Sequence, residues 1–235
     1  MHRFDNPYLM PTDIIDSDHP RVRQYAREIL GTRPLNPIQK ATRLYYAVRD
    51  DIGYNPYSPF YRPEHFQASK VISRKKGFCI SKASLLCALG RLCGIPTRVG
   101  FATVRNHIAT KQLIELLGSN IFVYHGYTEF LLENGWIKAT PAFDRHTCKR
   151  HCIAPLEFDG RKDSIFHAYN NEKQLFMEYL EYHGSHITIP VKKIVAAFKK
   201  AYGEDRVLSW IDQLEKLEDW QKRKFGEEEV LLSNF

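Results

Sequence analysis

Cys79 is the residue of this sequence whose position most clearly indicates chemistry. It follows Lys75-Lys76-Gly77-Phe78 and starts a predicted helix, where free backbone N–H groups and the positive end of the helix dipole favour a thiolate. Lowering a cysteine pKa from ~8.5 to about 6 requires roughly 3.4 kcal/mol, whereas an exposed helix terminus supplies only ~0.3–1 kcal/mol. An active thiol at this position therefore needs a cationic partner.

His125 is the candidate for that partner. It lies in a predicted strand over residues 121–132, whose alternation places His125, Tyr127 and Glu129 on one face of a sheet. Because imidazole titrates close to neutral pH, a protonated His125 beside Cys79 would stabilise the thiolate. The sequence therefore predicts a Cys–His pair assembled from the start of a helix and the middle of a strand.

The elements that must position this pair are a buried helix and a small sheet. Residues 79–93, CISKASLLCALGRLC, are apolar on most sides, and Gly94 and Pro96 follow where the helix must end. Asn134-Gly135 between two strand-like runs predicts a tight hairpin. The patterns predict a short helix over 108–117 and strands over 97–104, 121–132 and 136–140.

Helices are also predicted on both sides of this centre. Two begin at Asp18-His19-Pro20 and at Asn36-Pro37, and amphipathic patterns predict two more over 191–202 and 208–217. Residues 53–68, between the second of these helices and the Cys79 helix, contain three prolines among aromatic residues. Such a loop either covers a core or forms the wall of a groove. Because the pattern weakens after residue 155, we predict a core over 1–160 and a mainly helical extension over 161–235.

Two segments, GFCISKASLLCALGRLCGIPTRVGF and VYHGYTEFLLENGWIKATPAFD, resemble the transglutaminase-like superfamily of papain-like thiol enzymes. The resemblance covers roughly residues 20–145, and the paired helices before the cysteine are similar to those of bacterial members. It implies an α+β fold in which the Cys79 helix packs on an antiparallel sheet, with further helices at both ends of the chain.

The resemblance also implies a mechanism. The Cys79 thiolate would attack an amide carbonyl of a protein or peptide, and water or a second amine would resolve the acyl thioester. His125 would protonate the departing amine and activate the acceptor, while backbone amides at the helix start would hold the oxyanion. This chemistry requires no metal or organic cofactor. Proteolysis, deamidation and cross-linking all stay open, as does the oligomeric state.

A third catalytic residue is expected after the hairpin. The family's aspartate position aligns with Thr140, so the acid is missing there. In a tight hairpin centred on Asn134-Gly135, residues whose numbers sum to 269 face each other, which places Asp144 opposite His125. Asp144 is therefore the candidate for orienting the imidazole, and Thr140 is an alternative that could only hydrogen-bond.

Composition excludes several classes of protein. The net charge of +7 comes from scattered basic residues, and the sequence carries no zinc-finger, RNP or leucine-zipper signature, so no nucleic-acid partner is expected. There is no apolar run of ~18 residues and no signal-peptide pattern, which predicts a cytoplasmic protein without a membrane partner. The five cysteines are accordingly expected to be reduced.

Two other functions compete with the thiol enzyme. A non-catalytic binding relative that keeps the fold is favoured by Thr140 in place of an acid. A zinc-stabilised binding module is the second, but its spacing is not one of the usual structural zinc patterns, so no metal is assigned. Its candidate ligands would be His146, Cys148, His151 and Cys152, with His183 or His186.

Overall fold

The computed structural model describes residues 6–133, 135–216 and 225–229. Its helices are α1 (Pro20–Leu30), α2 (Pro37–Asp51), α3 (Ala68–Arg74), α4 (Cys79–Leu92), α5 (Lys111–Leu117), α6 (Arg145–Arg150), α7 (Val191–Tyr202) and α8 (Glu204–Lys216). Its strands are β1 (Gly53–Tyr54), β2 (Lys76–Gly77), β3 (Thr97–Asn106), β4 (Ile121–Leu132), β5 (Gly135–Ala139) and β6 (Met177–His186). Among the described helices, none is long and apolar enough to cross a membrane.

Helix α4 lies at the centre of the core. Every residue from Cys79 to Arg91 is buried, as its nearly continuous apolar surface predicts. Gly90 allows close packing, since a Cβ there would lie 2.5 Å from the Thr97 side chain and 2.9 Å from the Phe130 ring. The helix ends just before Gly94, whose φ of +79° is the left-handed conformation expected of a glycine terminator.

Four antiparallel strands form the main sheet, in the order β5-β4-β3-β6. One face of β4 packs on α4, and the Thr128 hydroxyl donates a hydrogen bond to the Ala83 carbonyl at 2.8 Å. Tyr127 lies on the opposite face, where its ring fills the space that a Cβ at Gly100 would need. The α+β prediction, with the cysteine helix on an antiparallel sheet, is confirmed.

The register of the β4–β5 hairpin differs from the prediction. The sequence pattern pairs Glu133 with Trp136, but in the structure Trp136 pairs with Leu131 and Gly135 with Leu132. Gly135, with φ +100°, is the first residue of the ladder rather than a turn residue. Asn134, the other predicted turn residue, lies outside the described residues. This shift of two residues along β4 removes the argument that set Asp144 opposite His125.

The sheet crosses the boundary predicted near residue 160. Residues 177–186 form β6, which pairs with β3 on the side away from β4. Helices α7 and α8 follow, close to the predicted 191–202 and 208–217, although residue 217 lies outside the described residues. Helix α7 packs against β4, so the predicted extension shares the sheet and the core with the first 160 residues.

Candidate active site

Cys79 is the first residue of α4, and local hydrogen bonds fix the start of that helix. The Ser81 hydroxyl accepts from the Phe78 N–H at 2.9 Å and lies 3.1 Å from the Phe78 carbonyl oxygen, to which it donates. A Cβ at Gly77 would lie 2.4 Å from the Ser81 oxygen, so the glycine before the cysteine makes this turn possible. The thiol is thereby held at the helix start with about 9% of the residue exposed.

Gly126 brings β4 into contact with the start of α4. A Cβ at this position would lie 2.9 Å from the Ile80 Cα, and this clash could be relieved only by moving the backbone. The absence of a side chain brings the Gly126 N–H close enough to the Cys79 sulfur to oppose the increase in the Cys79 pKa that burial causes. The residue after His125 therefore packs against the start of α4, and Cys79 and His125 line one cavity.

A β-bulge precedes His125 in β4. Ala102 pairs with His125 and Val104 with Phe122, so the register shifts between these pairs. Tyr124 lies in the bulge and has φ +56°, a left-handed conformation that is rare for an aromatic residue. Bulges re-aim the neighbouring side chain. Here the His125 ring lines the same cavity as Cys79.

The pair consists of two neutral groups. Burial raises the pKa of the Cys79 thiol to about 11, although hydrogen bonds from the backbone N–H groups of Gly126, Ile80 and Cys79 itself act in the opposite direction. Burial likewise lowers the pKa of His125 to about 3. The cationic partner expected for Cys79 is therefore not present in the resting site, because the imidazole is as poorly solvated as the thiol.

Aromatic side chains from distant parts of the chain enclose the thiol. Tyr54 comes from β1, Tyr202 from the end of α7 and Phe225 from the C-terminal part of the chain. The Tyr202 hydroxyl accepts from the Val123 N–H at 3.0 Å. The remaining cavity has a volume of ≈ 90 Å³, below the ~300–1,000 Å³ of typical ligand sites. In this conformation the cavity admits little more than a small side chain.

Comparison with known proteins gives the family of this chain. Residues 23–141 match the family model of the Transglutaminase-like superfamily. The chain belongs to this superfamily. It is also similar, at 17% identity and a TM-score of 0.42, to the crystal structure of a putative cysteine protease from Cytophaga hutchinsonii. The similarity covers 77% of this chain and 53% of that one, and no curated protein sequence matches this chain.

The superfamily match includes Cys79 and His125 and ends before Asp144. The Asp144 carboxylate caps α6, where it accepts from the Thr147 N–H at 2.8 Å, and it also accepts from the Tyr54 N–H at 2.8 Å. Within the described part of the chain, no hydrogen bond joins this carboxylate to His125, whose Nε2 is buried without a partner. The structure brings Cys79 and His125 together, and it places Asp144 in the wall that carries Tyr54.

Lys82 supports this wall from within α4. Its ammonium group is fully buried and donates to the Arg49 carbonyl at 2.9 Å and to the Ile52 carbonyl at 2.5 Å. Burial lowers the pKa of Lys82 to about 7, while the nearby charge of Asp144 raises it. The Asp144 carboxylate thus also compensates a buried ammonium group at the end of α2.

Replacing Asp144 with alanine should lower the free energy of unfolding at pH 7 by about 2 kcal/mol, because a helix cap and a bond to Tyr54 are lost together. Burial raises the pKa of Asp144, but hydrogen bonds from Tyr54 and Thr147 and the charge of Lys82 give a net decrease. The contribution is therefore complete above the unfolded pKa of ~3.9 and is lost as the pH falls through the lower folded value.

Urea unfolding of wild type and Asp144→Ala between pH 7 and pH 3 measures this difference, which should shrink toward the acid end. Asp144→Asn, which keeps one acceptor for the Thr147 N–H, should lose less. A variant of unchanged stability whose Cys79 reactivity has nevertheless changed would contradict a wall-supporting role and would favour direct contact with the imidazole.

Thr140 lies on the face of the sheet that carries His125. Its neighbour Ala139 pairs with Thr128, which points at α4, so alternation directs Thr140 to the other face. Thr140 is close enough to the Tyr179 hydroxyl to oppose the increase in the Tyr179 pKa that burial causes. The geometry is not that of a regular hydrogen bond, however, and the Thr140 Oγ1 is buried without a partner among the described residues.

Tyr179 was not predicted as a residue of the site. Its ring centroid lies 6.4 Å from that of His125 in an edge-on contact. Phe166 also packs on the imidazole, with ring centroids 5.1 Å apart. Both residues fall in the weakly patterned stretch after residue 155, so no local signal linked them to His125. Together they explain why His125 is so fully desolvated.

The alternative zinc cluster does not form a metal site. In the described part of the chain, no group of three or more His, Cys, Asp or Glu residues is arranged to hold a metal ion. Cys148 is buried and Cys152 is exposed. The His151 ring packs on Phe225 at 5.0 Å, and burial lowers its pKa to about 4. Cys148 and His151 belong to the packing around α6, and Cys152 lies on the surface.

Proposed function

We propose that this protein is a cysteine-dependent enzyme that acts on amide or peptide bonds of a protein or peptide through an acyl thioester at Cys79. The observation that carries the proposal is the contact between the start of α4 and β4, where the Gly126 N–H reaches the thiol and His125 lines the same cavity. Membership of the Transglutaminase-like superfamily, in which cysteine enzymes are common, supports the same chemistry.

In the proposed mechanism the resting pair is a neutral thiol and a neutral imidazole. His125 accepts the thiol proton as the sulfur attacks the carbonyl carbon, and the imidazolium then protonates the departing amine or ammonia. The N–H groups of Cys79 and Ile80 at the start of α4 stabilise the oxyanion. The acyl group leaves the sulfur when water or a second amine, deprotonated by His125, attacks the thioester.

One assay distinguishes the three outcomes of this chemistry. Casein is incubated with the protein and a dansylated primary amine: fluorescence in the casein indicates transfer, ammonia without amine incorporation indicates deamidation, and new N-termini indicate proteolysis. We expect one of these products from the wild type and from Cys152→Ser, whose exposed thiol lies outside the site. The product should be lost in Cys79→Ala and sharply reduced in His125→Ala.

A non-catalytic binding protein is the competing function, and it is favoured by Thr140 at the position of the family's acid. Equal product from wild type and Cys79→Ala, or no product by any of the three readouts across a panel of proteins, would overturn the enzyme proposal. The binding function would then take its place, because the fold and the cavity would persist without the reaction.

A further inference from the structure

Residues Phe225–Glu229 occupy a groove beside the Cys79 cavity. Phe225 is only 4% exposed, and its ring meets Tyr54 edge-on with centroids 5.3 Å apart. It shares a small apolar cluster with Tyr57 and Leu113, and it lines the cavity that contains Cys79 and His125. This aromatic side chain therefore takes up space next to the thiol that a substrate would need.

The carboxylate of Glu228 is held at the other end of the same groove. The Tyr57 hydroxyl donates to it, with distances of 2.7 Å to Oε1 and 2.9 Å to Oε2, and the Thr110 hydroxyl donates to Oε2 at 2.7 Å. Two neutral hydroxyl groups thus converge on one charged acceptor, an arrangement that gives short and strong hydrogen bonds. Neither hydroxyl belongs to the proposed catalytic apparatus.

One backbone hydrogen bond joins the segment to the groove, and a second closes a turn within the segment. The Lys111 N–H donates to the Glu229 carbonyl at 3.1 Å, and the Glu228 N–H donates to the Phe225 carbonyl at 3.2 Å. A single turn therefore presents an aromatic side chain and, three residues later, a carboxylate. The groove matches both groups, with aromatic residues at one end and hydroxyl donors at the other.

We propose that this groove is the substrate-recognition site, that it binds a peptide segment with an aromatic residue followed three residues later by a carboxylate, and that Phe225–Glu229 occupy it in the resting protein. The inference rests on the proposed function, since it names the substrate class of the same site. It accounts for the small volume of the cavity beside Cys79. A substrate enters by displacing the chain's own segment, so the two compete for one groove.

Alkylation of Cys79 by iodoacetamide, followed by mass spectrometry at a fixed pH of 8, tests the occupancy. Phe225→Ala should increase the alkylation rate at least about tenfold, because the groove is then occupied for a smaller fraction of the time. Glu228→Gln should increase it as well, and Glu229→Gln, which removes an exposed carboxylate with the same change in charge, should leave it unchanged. If the folded Phe225→Ala and Glu228→Gln variants were alkylated at the same rate as the wild type and Glu229→Gln, the proposed occupancy would be overturned.

A fluorescein-labelled peptide with the sequence of residues 224–230, KFGEEEV, tests recognition by fluorescence anisotropy. It should bind the full-length Phe225→Ala/Glu228→Gln variant at least about tenfold more tightly than the wild type, where the resident segment competes. Binding should weaken when the peptide carries glutamine at the position of Glu228, and when Tyr57→Phe is added to the protein. A peptide that binds no variant would overturn the recognition site.

Tyr57→Phe in the full chain keeps the experiment informative if Phe225→Ala does not fold. This change removes one donor to Glu228 and retains the ring that packs on Phe225, so the alkylation rate should still rise while circular dichroism is unchanged. Neither readout requires turnover. Absence of product across the protein panel together with successful peptide binding would reject the enzyme and retain the groove as a peptide-binding site, whereas the reverse result would reject the groove alone.

Discussion

Iodoacetamide should alkylate Cys79 of the native protein at a rate that keeps rising beyond pH 9 and has its midpoint near pH 11. The reason is burial, which raises the pKa of this thiol to about 11 despite three backbone donors. A thiol is uncharged below its pKa, so the increase depletes the thiolate at neutral pH. Compared with an ordinary cysteine of pKa ~8.5, the thiolate fraction at pH 7 should be about 300-fold lower.

The same protein unfolded in urea provides the matched comparison, since its Cys79 is fully solvated and should follow an ordinary thiol profile. His125→Ala should leave the native midpoint almost unchanged, because burial keeps His125 neutral and burial alone sets its pKa. A native midpoint below ~8.5 that disappears in His125→Ala would contradict this result. Such a profile would instead demonstrate a thiolate–imidazolium pair in the resting site.

The position of Cys79 could be predicted because the signals that define it are local. Glycine before the cysteine, an apolar helix and Gly94 with Pro96 at its end all lie within 20 residues of one another. Strand β4 could be predicted equally well, since its predicted bounds of 121–132 match the structure. These elements bring Cys79 and His125 together, which is why the pair follows from the sequence.

The position of Asp144 relative to His125 could not be predicted from the sequence, because it depends on the register of the β4–β5 hairpin. A hairpin turn one residue away from the expected position moves every cross-strand partner, so Gly135 in the ladder was enough to displace Asp144. The bulge at Tyr124 had no signal either, since an aromatic residue is not expected at positive φ. Both features arise from the fit of β4 to its neighbours rather than from local preference.

The cavity walls depend on contacts between distant parts of the chain. Tyr202 and Phe225 reach the thiol from more than 120 residues away, and nothing in the amphipathic pattern of α7 indicates that its last turn faces an active site. Strand β6 was missed because its exposed residues alternate little, and pairing with β3 stabilises it. Burial around Cys79 and His125, and hence the direction of both pKa shifts, could not be predicted without these contacts.

Thr140→Asp should increase the pKa of His125 from about 3 to about 4–6, as measured by NMR titration of its imidazole protons. Thr140 lies on the face of His125, and its Oγ1 and the His125 Nε2 are both buried without partners among the described residues. A carboxylate at position 140 would accept from the Nε2–H and raise the His125 pKa by about 1–3 units. The other ring nitrogen would then be a stronger acceptor for the thiol proton.

Thr140→Asn is the matched control, since it has nearly the same size as aspartate and can accept a hydrogen bond without carrying a charge. It should leave the His125 pKa close to that of the wild type. Because a buried carboxylate is costly without a partner, Thr140→Asp should destabilise the protein more in a His125→Ala background than in the wild type, as measured by urea unfolding. Equal destabilisation in both backgrounds would mean that position 140 does not reach the imidazole.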